Sequence, residues 1–315
     1  MHIIRSAPAK INLSLLIGPG EANGYHEVFT IFVPVDVYDV LGFGLEARPA
    51  GDDPADLQVK ARAIEAEANI VAHALRALER HTGWVFTGRV TIDKGIPMAA
   101  GMGGGSTDAA TALLVGAQVL REAGGPDVSE ADLRELARGL GADVPFFLDP
   151  RPAIGRGIGD LLEPLSLPDL PLVLVFTDQP LSTAHVYREF DLRNPAEAHE
   201  AFAARSSAEE ERWRRARTID EIAGLLHNDL EETSCSLLPG LYDAKDIILQ
   251  EGAIGALVSG SGPTIYGICR SLPEAQAICD KVSADGLNCR VASARSYPLV
   301  GEDAGRQGFL QPKGD

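Results

Sequence analysis

The sequence predicts an α+β protein built as two domains. Strand-like and helix-like hydrophobic patterns interleave in both halves of the chain. A length of 315 residues exceeds what one small core needs. The character of the chain changes around Asp149 to Pro152, just after a helical stretch and an apolar connection. The expected division is therefore 1–150, 151–300 and a disordered tail over 301–315.

In chain order, "AKINLSLLIG" alternates with a period of two, Ile11, Leu13 and Leu15 facing one way and Lys10, Asn12 and Ser14 the other. That pattern predicts a half-buried strand with a cation and an amide side by side on its exposed face. "GPGEANGY" supplies a turn, and "VFTIFVPVDVYDVLGFGL" one or two further strands. A helix is expected from near Asn69 to Gly83, and "GRVTIDKGIP" is a strand running into a glycine-rich loop. "STDAATALLVGAQVLREAG" is a helix with Ser106 or Thr107 as N-cap, Asp108 in its first turn and Gly124 past its end. Ser129 opens another helix, closed at Gly139 or Gly141.

In the second half, "PLVLVFTD" reads as a buried strand and "STAHVYREF" as the start of a helix or turn. The mixed-charge segment 194–218 is expected to be a solvated helix or mobile surface. "GAIGALVSGSGPTIYGIC" is a strand, a glycine turn and a strand; "LPEAQAICDKVSA" is an amphipathic helix and "CRVASAR" a final strand.

Composition narrows the function. A formal charge of −17 argues against a bulk grip on nucleic acid, which needs clustered Lys and Arg. A small anion can still bind where the field is locally positive. Cys235, Cys269, Cys279 and Cys289 are too far apart for a C-x-x-C motif and read as buried or free thiols in a reducing compartment. The N-terminus lacks a continuous apolar signal region, and "LVLVF" at 172–176 is too short to cross a bilayer. A soluble cytoplasmic protein is expected.

The stretch "IPMAAGMGGGSTDAAT", Ile96 to Thr111, lies between a strand and a capped helix. It lacks the Lys of a Walker A loop, and Ser106 stands where a dinucleotide-binding fingerprint needs its third glycine. No protein-kinase signature follows it. Its physics still suits phosphate. Residues without Cβ let backbone N–H groups approach an anion, and the following helix adds unpaired donors and a positive dipole end.

Asp143, in "LGADVPFF", sits beside a stretch expected to be buried, where a carboxylate needs a partner such as Lys10; a cap or turn role fits equally. Tyr25 and His26, in "NGYHE", could grip a flat ring or simply cover the core edge. "SGSGPT" is either a hairpin turn or a second close approach to a ligand.

Taken in order, "PAKINLSL", "NGYHE", "IPMAAGMGGGSTDAA", "LGADVPFFL" and "SGSGPT" resemble the GHMP superfamily of small-molecule kinases, which includes galactokinase, homoserine kinase, mevalonate kinase and phosphomevalonate kinase. The resemblance spans positions 6 to about 267 and is weakest over 191–217. "PAKINL", "GYHE" and "LGADVPFF" point within it to the branch that acts on a cytidine-diphosphate-linked methylerythritol in the non-mevalonate route to isoprenoids. It implies an N-terminal ATP-binding α/β domain, like ribosomal protein S5 domain 2, and a C-terminal ferredoxin-like α/β plait. ATP and Mg²⁺ would be used, with substrate in the cleft between domains. The ATP site would comprise Lys94, near the adenine, and Pro97, Met98, Ala99, Ala100, Gly101, Met102, Gly103, Gly104, Gly105, Ser106 and Thr107. Asp143 aligns with the catalytic base and Lys10 with its basic partner. Asn12, Tyr25, His26, Tyr187, Gly260 and Gly262 would contact the substrate, with Tyr25 and Tyr187 stacking on cytosine. The metal ligands are not assigned. Neither nucleic acid nor membrane is an expected partner, and the chain would act as a monomer or homodimer.

The chain departs from the family pattern at Thr107, which keeps a hydroxyl, at Asp160, where Glu is usual, and at His185, where a small residue or Pro is usual. Three rival readings stay open on sequence: another kinase of the superfamily, a non-catalytic nucleotide-binding protein on the same scaffold, and a decarboxylase of a phosphorylated mevalonate.

Overall fold

A computed structural model of the chain describes residues 2–20, 24–51, 56–61, 69–177, 179–195 and 197–295. The expected tail 301–315, and Asn23 in the turn after the first strand, lie outside the described residues.

Two long antiparallel strands, β1 (His2–Gly20) and β2 (His26–Pro49), form the spine of the protein. β3 (Leu57–Ala61) runs parallel to β4 (Trp84–Asp93), and β4 pairs antiparallel with β2. Between them in sequence lies α1 (Ile70–Thr82), capped by the Asn69 side chain and stopped by Gly83 in the left-handed region. Then come α2 (Gly104–Glu122) and α3 (Glu130–Leu140), the latter opened by a Ser129/Asp132 capping box. A 3₁₀ helix, Val144–Leu148, leads to β5 (Ala153–Arg156) and β6 (Leu161–Pro164), and β5 pairs with β2.

The second half contributes β7 (Leu170–Phe176), α4 (Thr183–Arg193), α5 (His199–Arg215), α6 (Ile219–Ala223), β8 (His227–Asn228), α7 (Glu231–Leu237), α8 (Gly240–Gln250), β9 (Gly255–Val258), β10 (Ile265–Ile268), α9 (Leu272–Ala284) and β11 (Asn288–Ala294). The strand order β3-β4-β2-β11-β7-β10-β9 makes one continuous sheet across both halves. The seam is short. Ala294 of β11 pairs with Val35 of β2, and Arg295 reaches Asp36 at 2.8 Å.

Three apolar layers hold the sheet. Leu75, Leu78 and Leu113 of α1 and α2 cover Phe43, Phe86 and Val90. Ile11, Leu13, Ile31 and Tyr266 form a central layer with Trp213 and Phe202 of α5. Ile248, Ile278 and Val282 of α8 and α9 pack with Val173, Val175 and Ile265.

One expectation fails here, and another is met only in part. β1 is buried on both faces: Lys10, Asn12 and Ser14 are as inaccessible as Ile11 and Leu13. Lys10 and Asn12 are enclosed by the glycine loop, Phe32 and Thr30, and Ser14 by α5, a helix with a solvated outer face that is nevertheless anchored to the sheet. Phe202 lies so close to β1 that a Cβ on Gly18 would come within 2.7 Å of its ring. Glu209 accepts hydrogen bonds from Ser14 Oγ at 3.0 Å and Trp213 Nε1 at 2.8 Å. Mixed charge hid two aromatic anchors three helical turns apart and a buried carboxylate between them.

Candidate active site

The glycine loop does not end in a hydroxyl cap. α2 begins at Gly104, its N-cap is Gly103 at φ 73°, and no side chain caps it. The expected cap residues Ser106 and Thr107 lie inside the first turn instead. A capping hydroxyl would consume a backbone donor; a glycine in the left-handed region turns the chain and leaves the first N–H groups open. Ala99, Gly101 and Gly103 all have positive φ, so the loop turns repeatedly.

This loop walls a cavity of about 860 Å³. Pro97, Met98, Ala99, Ala100, Gly101, Met102, Gly103, Gly104, Gly105 and Ser106 line it, together with Lys94, Lys10, Asn12, Tyr25, His26, Asp143, Tyr187 and Gly260. Thr107 and Gly262 stand behind that wall. Thr107 is buried with its hydroxyl unpartnered, and a Cβ on Gly262 would meet Val258 and Leu181.

Lys10 and Asp143 meet inside the cavity, Nζ to Oδ2 at 3.3 Å. Lys10 is buried, donates to Asn12 Oδ1 at 2.8 Å and stands over the Phe32 ring. Asn12 donates to Thr30 Oγ1, and Thr30 donates to the Ser14 carbonyl. This chain of bonds compensates the polar face of β1 for its burial. The backbone of Lys10 donates to the Met102 carbonyl at 3.0 Å, tying the ammonium to the glycine loop.

"SGSGPT" is more than a hairpin, because it abuts the first glycine loop. Ser259 Oγ donates to the Gly101 carbonyl at 3.1 Å, and a Cβ on Gly101 would come within 2.4 Å of the Ser259 carbonyl. Gly260 sits near Asn12 and Lys10.

Lys94 is engaged beneath the loop. Its ammonium is shared between Asp39 and Asp108, the latter at 2.9 Å, while Asp39 also accepts the Gly95 and Ile96 N–H groups. Burial lowers the lysine's pKa, but Asp108 and Asp39 outweigh it and leave Lys94 above its ordinary value. Burial, with Asp39 close by, pushes Asp108 up to about 7 despite Lys94.

At the other end of the cavity, His26 and Tyr187 pack with ring centroids 5.4 Å apart and tilted by 38°. Burial, with Asp143 and Asp191 nearby, raises the Tyr187 phenol well above its usual range.

Family models match both halves of the chain: the GHMP kinases N terminal domain over residues 69–149 and the GHMP kinases C terminal domain over 198–288. The 4-diphosphocytidyl-2-C-methyl-D-erythritol kinase of Anaeromyxobacter sp. (strain K) is 37% identical over 272 residues, 85% of this chain and 81% of that protein. The protein of that name from Mycobacterium avium (strain 104) is 35% identical over 313 residues, 93% and 90% of the two chains. A crystal structure of 4-(cytidine 5'-diphospho)-2C-methyl-D-erythritol kinase superposes with a TM-score of 0.69 at 31% identity, covering 92% of this chain and 98% of that one. This chain belongs to the 4-diphosphocytidyl-2-C-methyl-D-erythritol kinase family. Homoserine kinase from Cytophaga hutchinsonii, at 17% identity and a TM-score of 0.68, shares the fold. The two-domain GHMP architecture, α+β, is that of the family, whose members are ATP-dependent kinases of small molecules.

The departures from the family pattern have local explanations. His185 faces outward from the first turn of α4, 3.6 Å from Glu189, and stays clear of the cavity. Asp160 pairs with Arg138 at 2.8 Å and accepts the Ile158 N–H. It thereby shapes the turn whose Ile158 and Gly159 line the cavity. Sequence reasoning missed Asn69, Asp108, Thr183 and Ser261 as cavity residues. Asn69 is legible only as a helix cap and Asp108 as a first-turn carboxylate, though it lies just past that turn; Ser261 and Thr183 lie in the stretches "SGSGPT" and "STAHVY", which draw attention without singling out either residue.

The four cysteines are free thiols, three of them buried, and burial pushes Cys235 up to about 12 and Cys269 to about 11. Among the described residues no helix is long and apolar enough to cross a membrane.

Proposed function

We propose that this chain transfers the γ-phosphate of ATP to the 2-hydroxyl of 4-diphosphocytidyl-2-C-methyl-D-erythritol, giving the 2-phosphate and ADP. The observation that carries the reading is the pairing of a buried Lys10 with a partly exposed Asp143, set between a phosphate-shaped glycine loop and an aromatic wall in one cavity.

Phosphoryl transfer passes through a loose transition state, so the protein mainly positions groups and balances spread negative charge. The open N–H groups of Gly104, Gly105 and Ser106 and the dipole of α2 receive the ATP phosphates. Asp143 accepts the proton of the attacking hydroxyl as its oxygen bonds to the γ-phosphorus. The bond from that phosphorus to the bridging oxygen breaks, and ADP leaves. Lys10 holds Asp143 and faces the charge on the transferring group. Tyr25, His26 and Tyr187 receive the cytosine, and Asn12 and Gly260 the polyol. Lys94 contributes to the ATP site from beneath, by fixing the loop to Asp39 and Asp108.

The residues present also fit Mg²⁺, which beside a triphosphate needs only one or two protein oxygens. Asp108 Oδ1 is buried with no hydrogen-bond partner, and Asp108 and Ser106 both line the cavity. These two would hold the ion, which when bound neutralises phosphate charge.

The protein acts in the cytoplasm on a small molecule, as a monomer or homodimer, without nucleic acid or membrane. Its halves divide near residue 151. ADP release measured with 4-diphosphocytidyl-2-C-methyl-D-erythritol against mevalonate tests the reading. Turnover confined to the cytidine substrate supports it; a preference for mevalonate, or none with either, overturns it.

A further inference from the structure

His26 is held from two sides. Its Nδ1 lies 2.9 Å from the Gly18 carbonyl of β1, and its Nε2 lies 3.2 Å from Asp191 Oδ1 of α4. Both ring nitrogens therefore face oxygen acceptors, which fixes the plane and direction of the ring. Asp191 is four residues beyond Tyr187 on the same helix, so both side chains project from one face of α4. That face meets His26: the Tyr187 ring stacks obliquely on it while the Asp191 carboxylate bonds its edge.

α4 is attached at both ends. Near its start, Thr183 Oγ1 and Ser261 Oγ lie 2.8 Å apart, fastening the helix to the second glycine turn. Near its end, Asp191 fastens it to His26. Tyr187 stands between the two points, so the two fastenings set how its ring lies against His26 at the start of β2.

The geometry points to Asp191 as a positioning residue for the nucleobase end of the substrate: through His26 it fixes the Tyr187 ring as one wall of the nucleobase slot. The inference rests on the proposed reading that Tyr25, His26 and Tyr187 receive the cytosine. Asp191 is half-exposed, so a moderate effect is expected, of the size measured for partly exposed ion pairs.

The test compares wild type, Asp191→Ala, Asp191→Asn and Tyr187→Ala in steady-state kinetics, with each substrate varied in turn and cytidine diphosphate as competing ligand. Asp191→Ala should raise KM for the cytidine substrate, and Ki for cytidine diphosphate, by about two- to fivefold. Its kcat and its KM for ATP should stay at the wild-type values. Asp191→Asn keeps an oxygen acceptor for His26 and should restore most of the loss. A Tyr187→Ala variant with raised KM beside an unchanged Asp191→Ala overturns the positioning role alone. An unchanged Tyr187→Ala overturns the slot, and the inference with it. Equal losses in kcat and in both KM values for Asp191→Ala mark a general structural fault and also overturn the assignment.

Discussion

Lys10 Nζ stands 3.3 Å from Asp143 Oδ2, and the same ammonium donates to Asn12 Oδ1 at 2.8 Å. The lysine is thus oriented by a buried amide on its own strand, and the carboxylate is presented by the loop that follows α3. Removing the base while keeping its shape separates chemistry from binding. Asp143→Asn should lower kcat by about 10²–10⁴-fold, the usual worth of a general base, with KM for ATP close to wild type. Single-turnover phosphoryl transfer at the wild-type rate would exclude the role.

The phosphate loop and the second glycine turn touch with no room for a methyl group. A Cβ on Gly101 would lie 2.4 Å from the Ser259 carbonyl and 2.8 Å from that of Gly262, at a φ of 71°. Gly101→Ala should therefore displace the loop, raising KM for ATP at least tenfold or lowering Tm by several degrees. Gly139 is the contrast: it lies within α3 and nothing stands within 4 Å of its missing Cβ. Gly139→Ala should stabilise by roughly 0.5–1 kcal/mol through helix propensity, read in a urea titration. Equal behaviour of the two variants would show that the inter-turn contact has slack.

These two glycines also mark how far the sequence reaches. Local rules foresaw the caps of α1 and α3, the stop at Gly124 and the strand entering the loop, because each depends on a few neighbouring residues. The N-cap of α2 was misplaced because two hydroxyls look like caps, whereas Gly103 in the left-handed region takes that place without a side chain. What lay hidden was long-range. Nothing local tells that Ser259 reaches Gly101, that Asp39 reaches Lys94, or that α5 buries Ser14 of β1. The helices α6 and α7 went unread since five and seven residues give less than two full turns of periodicity. Stretches of unusual composition, such as "SGSGPT" around Ser261, are visible as candidates, but which of their residues reaches the cavity is not, and Thr183 at the start of α4 looks like any helix opening.

Glu209 tests whether α5 is structural. Its carboxylate serves Ser14 and Trp213 in a buried position and is itself paired with Arg212. Glu209→Ala leaves a hydroxyl and an indole N–H without partners, at a cost of roughly 1–3 kcal/mol. Trp213→Ala removes a fully buried aromatic and should cost about 3–5 kcal/mol. Both losses should appear as lower denaturant midpoints. A merely solvated helix would tolerate each change within about 0.5 kcal/mol.

His227 carries a pH dependence that can be read apart from catalysis. Its Nε2 lies 2.7 Å from Asp229 Oδ1, and that hydrogen bond raises the imidazole above its ordinary 6.5. Burial works to raise Asp229, but bonds from His227, Arg205 and the Ile17 N–H outweigh it and hold the carboxyl below its ordinary 3.8. For the histidine, the stabilisation is fully present below 6.5 and is lost as pH rises through the raised folded value. For the aspartate, it is present above 3.8 and is lost as pH falls through the lowered one. The pair therefore contributes most between these limits, at about pH 4–6.5. His227→Gln should lower Tm most near about pH 6, and the gap to wild type should narrow as pH rises through the raised folded value and the wild-type imidazole loses its proton. Asp229→Asn should stay destabilised below and above that value, because the charged bond from Arg205 at 2.7 Å and the Ile17 contact do not depend on the histidine. A gap for His227→Gln that is constant from about pH 6 to 9 would rule out an ionised His227–Asp229 pair in the folded protein.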